Sequence, residues 1–185
     1  MSTTLMIAVF VILSTVLIAV SRRSLTDVRS HGFFRFFAWE GILVLALLNA
    51  RVWFRQPFSL HQIVSWILLL LSIIMAIHGF RLLKVIGAPD PEREDATLIP
   101  FEKTRRLVTA GAYRWIRHPL YASLLFLAWG IFWKQPSGPG VAVALFTTVF
   151  LYLTGRAEEK ENMAYFGEEY VTYMKTTRMF IPWIF

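Results

Sequence analysis

The densest polar and aromatic run in the chain spans residues 111–121, directly before an apolar segment. In this run Arg117 and His118 precede Pro119. Proline is favoured in the first turn of a helix, where free backbone N–H groups and the helix dipole attract an anionic ligand group. The flanking tyrosines offer flat faces for a purine and hydroxyls for a ribose or carboxylate: Tyr113 and Tyr121. Taken alone, the run is more typical of the aromatic and basic belt at a membrane interface than of a ligand site.

A second charged cluster follows the next two apolar segments and consists of Arg156, Glu158 and Glu159. We expect the two acids at the cytoplasmic end of a span, where they oppose the helix dipole and need a cation. A sulfonium or amino group of a ligand would serve, and so would Arg156 or Lys160 at the start of a solvated tail helix. Together the two clusters predict two walls of one polar site at a membrane surface, and therefore an enzyme.

The composition places the chain among membrane proteins. Of its 185 residues, 56% are hydrophobic and 17% are charged, and the mean hydropathy is +0.54, which is rare in a soluble domain of this length. The lack of cysteine excludes disulfides, thiolate zinc sites and a cysteine nucleophile, and we predict no metal site. We expect one integral membrane domain over residues 1–185, with three spans in residues 1–80 and the functional part in residues 81–185.

Five apolar segments predict an all-α, polytopic fold with about five transmembrane helices. They are Thr4–Val20, Phe34–Phe54, Leu60–Phe80, Leu120–Trp133 and Gly140–Leu153. The first three approach the ~20 residues that a crossing helix needs, and the first is interpreted as a retained span rather than a signal peptide. The last two are short, and the turn 134–139, which contains glycine and proline, joins them into a hairpin.

Lysine and arginine are distributed unequally between the two sides of these spans. Sixteen of the 19 fall on one side, and the other side has only Arg51, Arg55 and Lys134. By the positive-inside rule, this predicts an external N-terminus and a cytoplasmic C-terminus and site. Topology and anionic lipid then explain the net charge of +7, so we expect membrane lipids as partners and no nucleic acid.

Three further expectations concern the parts around the clusters. Glu40 should lie near the cytoplasmic end of the second span and pair with Arg35 or another interfacial base. Residues 86–100, rich in proline and acids, should form a loop. Residues 156–175 repeat aromatic and apolar positions at spacings of three and four, which predicts one amphipathic tail helix on the cytoplasmic face, with Pro182 beyond its end.

The C-terminal half contains these motifs in a characteristic order. They are residues 107–113, residues 117–121, Glu158 with Glu159, residues 166–170, Tyr173 and Pro182. The ordered set strongly resembles the isoprenylcysteine carboxyl methyltransferase family and its relatives among the phospholipid methyltransferases, over a region from about Leu98 to Phe185. The first three spans carry no distinctive match.

The resemblance implies an integral membrane methyltransferase that uses S-adenosylmethionine. Its acceptor would be lipophilic, a carboxylate or amine of a lipid or prenyl-type molecule, and would enter sideways from the bilayer. Carried over by position, the cofactor-binding residues would be Arg105, Arg106, Leu107, Val108, Tyr113, His118, Pro119, Leu120, Tyr121 and Glu158.

Methyl transfer to different acceptors needs different residues. We expect Arg156 to orient a carboxylate acceptor, and Glu159, or alternatively His118, to take the proton from an amine or hydroxyl. The carboxyl methyltransferases place a substrate-binding arginine four residues before the first glutamate, and that position is Thr154 here. A different lipid or small hydrophobic acceptor is therefore at least as plausible as prenylcysteine.

Two other functions are compatible with the sequence. One is an NADPH-dependent membrane reductase, because sterol reductases have a similar C-terminal region, although they are typically much longer. The other is a non-catalytic membrane protein that binds lipid or an assembly partner. Titration with each cofactor separates these possibilities, and the sequence leaves the oligomeric state open.

Overall fold

The computed structural model describes residues 2–88 and 102–183. These residues form six α-helices: α1 (Thr3–Ser21), α2 (His31–Leu48), α3 (Leu60–Val85), α4 (Pro119–Phe132), α5 (Gly138–Phe166) and α6 (Glu168–Thr176). Short 3-10 turns occupy Ser24–Thr26 and Gly111–Arg114. Within the described ranges there is no strand, so the all-α prediction is confirmed. Most of the loop predicted at residues 86–100 lies outside them.

The polytopic prediction is also confirmed. Helices α1, α2, α3 and α5 are long and apolar enough to cross a membrane, and α4 is a shorter apolar helix. With 14 residues, α4 is about 21 Å long, which is less than the ~30 Å of a hydrocarbon core. The second apolar segment is shorter as a helix than expected, because α2 ends at Leu48, where the Asn49 side chain donates to the Leu45 carbonyl over 3.0 Å.

The second leg of the hairpin is longer than the apolar pattern predicted. The segment was expected to end at Leu153, but α5 continues to Phe166. Glu158 and Glu159 therefore lie inside α5 and not at its end, so the expectation that they oppose a helix dipole there is wrong. The physical reason is that hydropathy marks where apolar composition stops, whereas the helix continues because its carboxylates meet cationic partners within the protein.

The prediction of one tail helix over residues 156–175 is wrong for a local reason. Gly167 has φ +60°, a conformation that glycine adopts without steric cost, and the chain changes direction there between α5 and α6. Helix α6 ends at Thr176, well before Pro182, because Thr177 is extended. The break turns the tyrosines of α6 back toward the bundle.

Small residues allow the helices to pack closely, as is common in membrane bundles. Helix α2 packs against α5, and α3 packs against α4. A Cβ added at Gly41 of α2 would lie 2.2 Å from Oγ1 of Thr147 on α5. The core next to this contact contains Ala38, Tyr121, Ala122, Leu125, Leu151 and Phe180.

The expected pairing of Glu40 with Arg35 does not form. Glu40 lies midway along α2, and its Oε2 accepts a hydrogen bond from Oγ of Ser14 on α1 over 2.7 Å. Arg35 instead pairs with Glu102. Residues five apart on a helix point about 140° apart, so Arg35 and Glu40 face different neighbours.

The two ends of the bundle differ in their polar contacts. At one end, Gln62 of α3 donates to the main-chain carbonyls of Lys134 over 3.0 Å and of Val52 over 3.3 Å, so the α2–α3 loop and the α4–α5 turn both contact the start of α3. At the other end, Nδ1 of His31 lies 2.6 Å from Oε2 of Glu161. The first end contains the three basic residues that the sequence assigned to the sparsely charged side.

Candidate active site

A pocket opens at the basic end of the bundle, between α3, α4, α5, α6 and the segment that precedes α4. Its enclosed volume is about 60 Å³, and the space widens to about 600 Å³ when its open mouth is counted. The two polar clusters of the sequence meet here, since Tyr113, His118 and Glu158 share its walls.

Seven of the ten residues predicted to bind a cofactor line this pocket. They are Leu107, Val108, Tyr113, His118, Leu120, Tyr121 and Glu158. The other three have different positions. The main-chain N–H groups of Arg105 and Arg106 donate to the Gly87 carbonyl over 2.9 and 3.1 Å, and their side chains are exposed. Pro119 is buried at the start of α4. The binding role of the whole set stays a prediction.

The two residues predicted to be catalytic do not line the pocket. The Arg156 side chain is 53% exposed, and its Nη1 lies 3.8 Å from Oε2 of Glu159. The Glu159 side chain is only 2% exposed, and its Oε1 accepts a hydrogen bond from Nε of Arg117 over 2.7 Å. A direct contact of either residue with an acceptor in this pocket would require a rearrangement.

The remaining walls come from residues that the sequence analysis did not assign to cofactor binding or catalysis. They are Leu83, Glu102, Thr104, Arg117, Asn162, Phe166, Tyr170 and Tyr173. The sequence did indicate three of them by helical spacing, because aromatic side chains recur at intervals of three and four residues in the tail: Phe166, Tyr170 and Tyr173. Glu102 and Asn162 gave none, since a polar residue beside a loop or inside a charged helix segment is ordinarily solvated.

Local structure explains why Tyr113 faces the pocket. Gly111 has φ +59°, and a Cβ there would lie 2.6 Å from Nε2 of His78, so both the backbone conformation and the space require glycine. The 3-10 turn that follows buries Tyr113. The hydroxyl of Tyr173 donates to the main-chain carbonyl of Tyr113 over 2.5 Å and ties α6 to this turn.

His118 lies between the two carboxylates of α5. Its Nδ1 is 3.4 Å from Oε2 of Glu158, its Nε2 is 3.6 Å from Oε1 of Glu159, and its ring stacks on Tyr121 with centroids 5.4 Å apart. Burial lowers the pKa of His118, but the two carboxylates outweigh burial and raise the pKa above 6.5. The two carboxylates therefore stabilise the cationic form of the imidazole.

Glu102 supplies a second carboxylate to the pocket and is held from α2. Arg35 donates to its Oε1, and Nε2 of His31 lies 3.5 Å from its Oε2. Burial raises the pKa of Glu102, but the hydrogen bond with His31 and the charge of Arg35 outweigh burial and lower the pKa below 4.5. The pocket is therefore lined by two carboxyl groups, Glu102 and Glu158, and its surroundings favour the ionised form of Glu102.

Comparison with known proteins identifies this architecture. The model of a family described as phospholipid methyltransferase matches residues 60–169, which is more than half of the chain. The chain belongs to the phospholipid methyltransferase family. The match begins at α3, so the family region is longer than the motifs from Leu98 onward indicated, and it includes the third span. Together with its apolar helices, family membership makes the chain an integral, multi-pass membrane protein.

Three individual relatives align with between 70 and 84 residues of this chain. Protein-S-isoprenylcysteine O-methyltransferase of Homo sapiens is 36% identical over 84 residues, which cover 44% of this chain and 29% of that protein. Methanethiol S-methyltransferase 1 of Bradyrhizobium diazoefficiens is 30% identical over 80 residues, covering 42% and 27%. Methanethiol S-methyltransferase of Pseudomonas deceptionensis is 30% identical over 70 residues, covering 38% and 26%. The matched region spans less than a third of each relative.

In this member of the phospholipid methyltransferase family, aromatic rings form one part of the pocket wall. The rings of Phe166 and Tyr170 stack with centroids 6.4 Å apart, and Tyr170 meets Tyr173 edge to face at 5.8 Å. Burial raises the pKa of Tyr113, Tyr170 and Tyr173 above 10, so all three are neutral phenols. The site thus combines flat aromatic faces, neutral hydroxyls and two carboxylates.

Proposed function

We propose that the protein is a methyltransferase that uses S-adenosylmethionine and acts on a lipophilic acceptor at the cytoplasmic membrane surface. The observation that supports this most directly is the shared pocket of Tyr113, His118 and Glu158 in a chain of the phospholipid methyltransferase family. The proposed orientation, with the N-terminus outside and the C-terminus in the cytoplasm, rests on the position of the basic residues.

The residues of the pocket fit S-adenosylmethionine chemically. This cofactor has a cationic sulfonium, an ammonium and a purine, and the pocket offers the carboxylates of Glu102 and Glu158 together with the rings of Phe166 and Tyr170. The hydroxyl of Tyr121 is buried beside Glu158 and makes no hydrogen bond of ordinary geometry among the described residues. A buried polar atom of this kind is usually satisfied, and a ligand group would satisfy it.

When bound, the cofactor supplies an electrophilic methyl group on a sulfonium. The residues of this chain would then have to align the reactants and exclude water, since an in-line displacement depends mainly on alignment. We assign Glu158 to a cationic or hydroxyl part of the cofactor and the aromatic wall to its purine. The short helix α4 leaves the pocket close to the bilayer, which would let a lipophilic acceptor enter sideways.

Our proposal for the chemical class of the methyl acceptor is based on the names of the relatives. One relative is named for isoprenylcysteine and two are named for methanethiol, so we propose a small or lipid-linked acceptor with a carboxylate, amine or thiol. The same names favour methyl transfer over NADPH-dependent reduction. The charge of the pocket agrees, because Glu102 and Glu158 would repel the phosphates of NADPH.

The test combines product identification with binding. Purified protein is incubated with labelled S-adenosylmethionine and a total lipid extract, and mass spectrometry identifies the molecule that gains a methyl group. In calorimetry, Glu158→Ala should weaken cofactor binding by about 10-fold to 100-fold, the usual effect of losing a hydrogen bond to a charged group. Glu169→Ala, an exposed carboxylate outside the pocket, is the matched control. Equal affinity in both variants would contradict the assignment of Glu158.

A further inference from the structure

Three ionisable side chains lie in a row that leads from the pocket into the protein. Glu158 lines the pocket and is 21% exposed. Behind it, Nδ1 of His118 is 3.4 Å from Oε2 of Glu158, and Nε2 of the same ring is 3.6 Å from Oε1 of Glu159. Glu159 does not line the pocket, so the imidazole is the bridge between a carboxylate that a ligand can touch and one that it cannot.

The inner half of this row is incompletely bonded. Among the described residues, neither Nε2 of His118 nor Oε2 of Glu159 has a hydrogen-bond partner, although both are buried. Unpaired buried polar atoms are costly and rare. The separations of 3.4 and 3.6 Å are those of ion pairs, and hydrogen bonds between catalytic groups are commonly long before ligands bind and shorten in the complex.

The surroundings hold the row in place. Arg117 binds Oε1 of Glu159, and Tyr121 stacks on the imidazole. Gly155 faces the same ring, because a Cβ there would lie 3.5 Å from Cδ2 of His118. At the far end, the exposed guanidinium of Arg156 lies 3.8 Å from Oε2 of Glu159. The row therefore starts at the pocket and ends beside a solvent-exposed residue.

We propose that Glu158, His118 and Glu159 form a proton-transfer chain that removes the proton lost by the methyl acceptor, and that the acceptor is a thiol or an amine. This inference rests on the proposed methyltransferase function. Glu159 lies outside the pocket, and His118, although it lines the pocket, acts on the acceptor only through Glu158, so both are positioning residues in this scheme.

The proton and the electrons balance at each step. The acceptor's S–H or N–H proton passes to the Glu158 carboxylate, its lone pair forms the bond to the methyl carbon, and the donor's carbon–sulfur bond breaks with its electron pair on sulfur. In its neutral form with the proton on Nε2, His118 gives that proton to Glu159 and takes the proton of Glu158 at Nδ1. Glu159 then loses the proton to water beside Arg156, so the three side chains return to their starting charges. Proton exchange with water restores the Nε2–H tautomer of His118 before the next turnover.

The charges of the pocket disfavour an anionic acceptor. Two carboxylates, Glu102 and Glu158, line it. The cations among the described lining residues already have anionic partners, since His118 lies between the α5 carboxylates and Arg117 binds Glu159. A neutral thiol or amine avoids this repulsion. Its methylated product carries a positive charge unless the S–H or N–H proton is removed, so the site needs a path for that proton.

The test compares two acceptors in wild type and Glu159→Gln. One acceptor is an N-acyl cysteine alkyl ester, whose thiol has a pKa of about 8.5, and the other is an S-farnesyl cysteine derivative with a free carboxylate. With the thiol at neutral pH, Glu159→Gln should reduce kcat about 100-fold, a typical contribution of acid–base catalysis. The defect should shrink above about pH 9.5, where the thiol arrives ionised. Any transfer to the carboxylate should be unaffected.

The matched control is Glu161→Gln. Glu161 is on the same helix and also pairs with a histidine, His31, but it lies outside the proton-transfer chain, so its loss should leave the pH profile unchanged. A readout without turnover is the ¹⁵N chemical shift of the His118 ring in the cofactor-free protein. Removing one of the two carboxylates in Glu159→Gln should lower the pKa of His118, while calorimetric affinity for S-adenosylmethionine stays within about twofold.

The outcomes are distinct. If Glu159→Gln slows methyl transfer to both acceptors equally and at every pH, Glu159 has a purely structural role and the proposed proton-transfer chain is wrong. The proposal is also wrong if Glu159→Gln does not change the rate of methyl transfer to the thiol. Methyl transfer by wild type to the carboxylate alone would also overturn it. If the wild-type protein neither binds S-adenosylmethionine nor transfers a methyl group, the proposed function itself has failed.

Discussion

Nε of Arg117 donates to Oε1 of Glu159 over 2.7 Å, and this bond joins the segment before α4 to α5. Nη1 of the same guanidinium binds the Thr177 carbonyl. The main chain adds to this connection, since the N–H of Arg117 donates to the Arg178 carbonyl over 2.8 Å and the N–H of His118 donates to the Met179 carbonyl over 3.1 Å. The first motif, α5 and the C-terminal segment therefore form one structural unit around His118.

Replacing Arg117 should destabilise this unit. The guanidinium is 11% exposed and its partner carboxylate is 2% exposed, so Arg117→Met removes the cation that is hydrogen-bonded to the buried Glu159 and leaves only the longer contacts with His118 and Arg156. We expect the free energy of unfolding to fall by about 3 kcal/mol, measured by denaturant unfolding in detergent. Arg178→Met removes an exposed guanidinium and should change it by less than about 0.5 kcal/mol. Similar losses in both variants would argue against the buried pair.

Glycine at position 41 should be required for the contact between α2 and α5. A Cβ there would lie 2.2 Å from Oγ1 of Thr147, a short, β-branched and fully buried side chain. Gly41→Ala should therefore force the helices apart and cost about 1–3 kcal/mol of unfolding free energy. At Gly138, a Cβ would meet nothing within 4 Å, so Gly138→Ala is the control and should be neutral. The thermal unfolding temperatures of both variants are measured. A loss in Gly41→Ala alone indicates a local clash, whereas equal losses in both variants would indicate a general intolerance to alanine.

The stability contributed by His118 should depend on pH. Its carboxylate neighbours raise the pKa of His118 above the ordinary 6.5, so the folded state binds the proton more tightly than the unfolded state. This contribution is fully present below pH 6.5 and is lost as the pH rises through the raised pKa. The difference in unfolding free energy between wild type and His118→Asn should therefore be largest in acid and decline in alkali. A difference that grows with pH would show that His118 is neutral in the folded protein.

The proposed orientation can be tested with single cysteines, because the chain has none of its own. Phe58→Cys places a thiol in the α2–α3 loop at a position that is 89% exposed, and Lys175→Cys places one at an exposed position of α6. In intact cells, a membrane-impermeant maleimide should label the first and not the second. Permeabilised cells, in which both should react, control for accessibility. Labelling of position 175 alone in intact cells would reverse the orientation.

Much of the fold follows from the sequence because its signals are local. Apolar runs identified every long helix, and Pro119 marked the start of α4. The basic residues also predicted which loops share an end, as the contact between Gln62 and Lys134 bears out. The end of α5 was missed because charged residues follow Leu153, and a scale of apolarity does not distinguish a solvated segment from a helix with paired charges.

The sequence by itself determined that this chain is an all-α membrane protein of a methyltransferase-like pattern, with its two polar motifs at the same end. Only the tertiary structure decided that His118 stands between Glu158 and Glu159, that Glu159 faces Arg117 instead of the pocket, and that Glu102 also lines the pocket. These facts depend on how each helix is rotated about its axis and on which distant residues it meets. Packing of whole helices sets that rotation, and no spacing within a single segment encodes it.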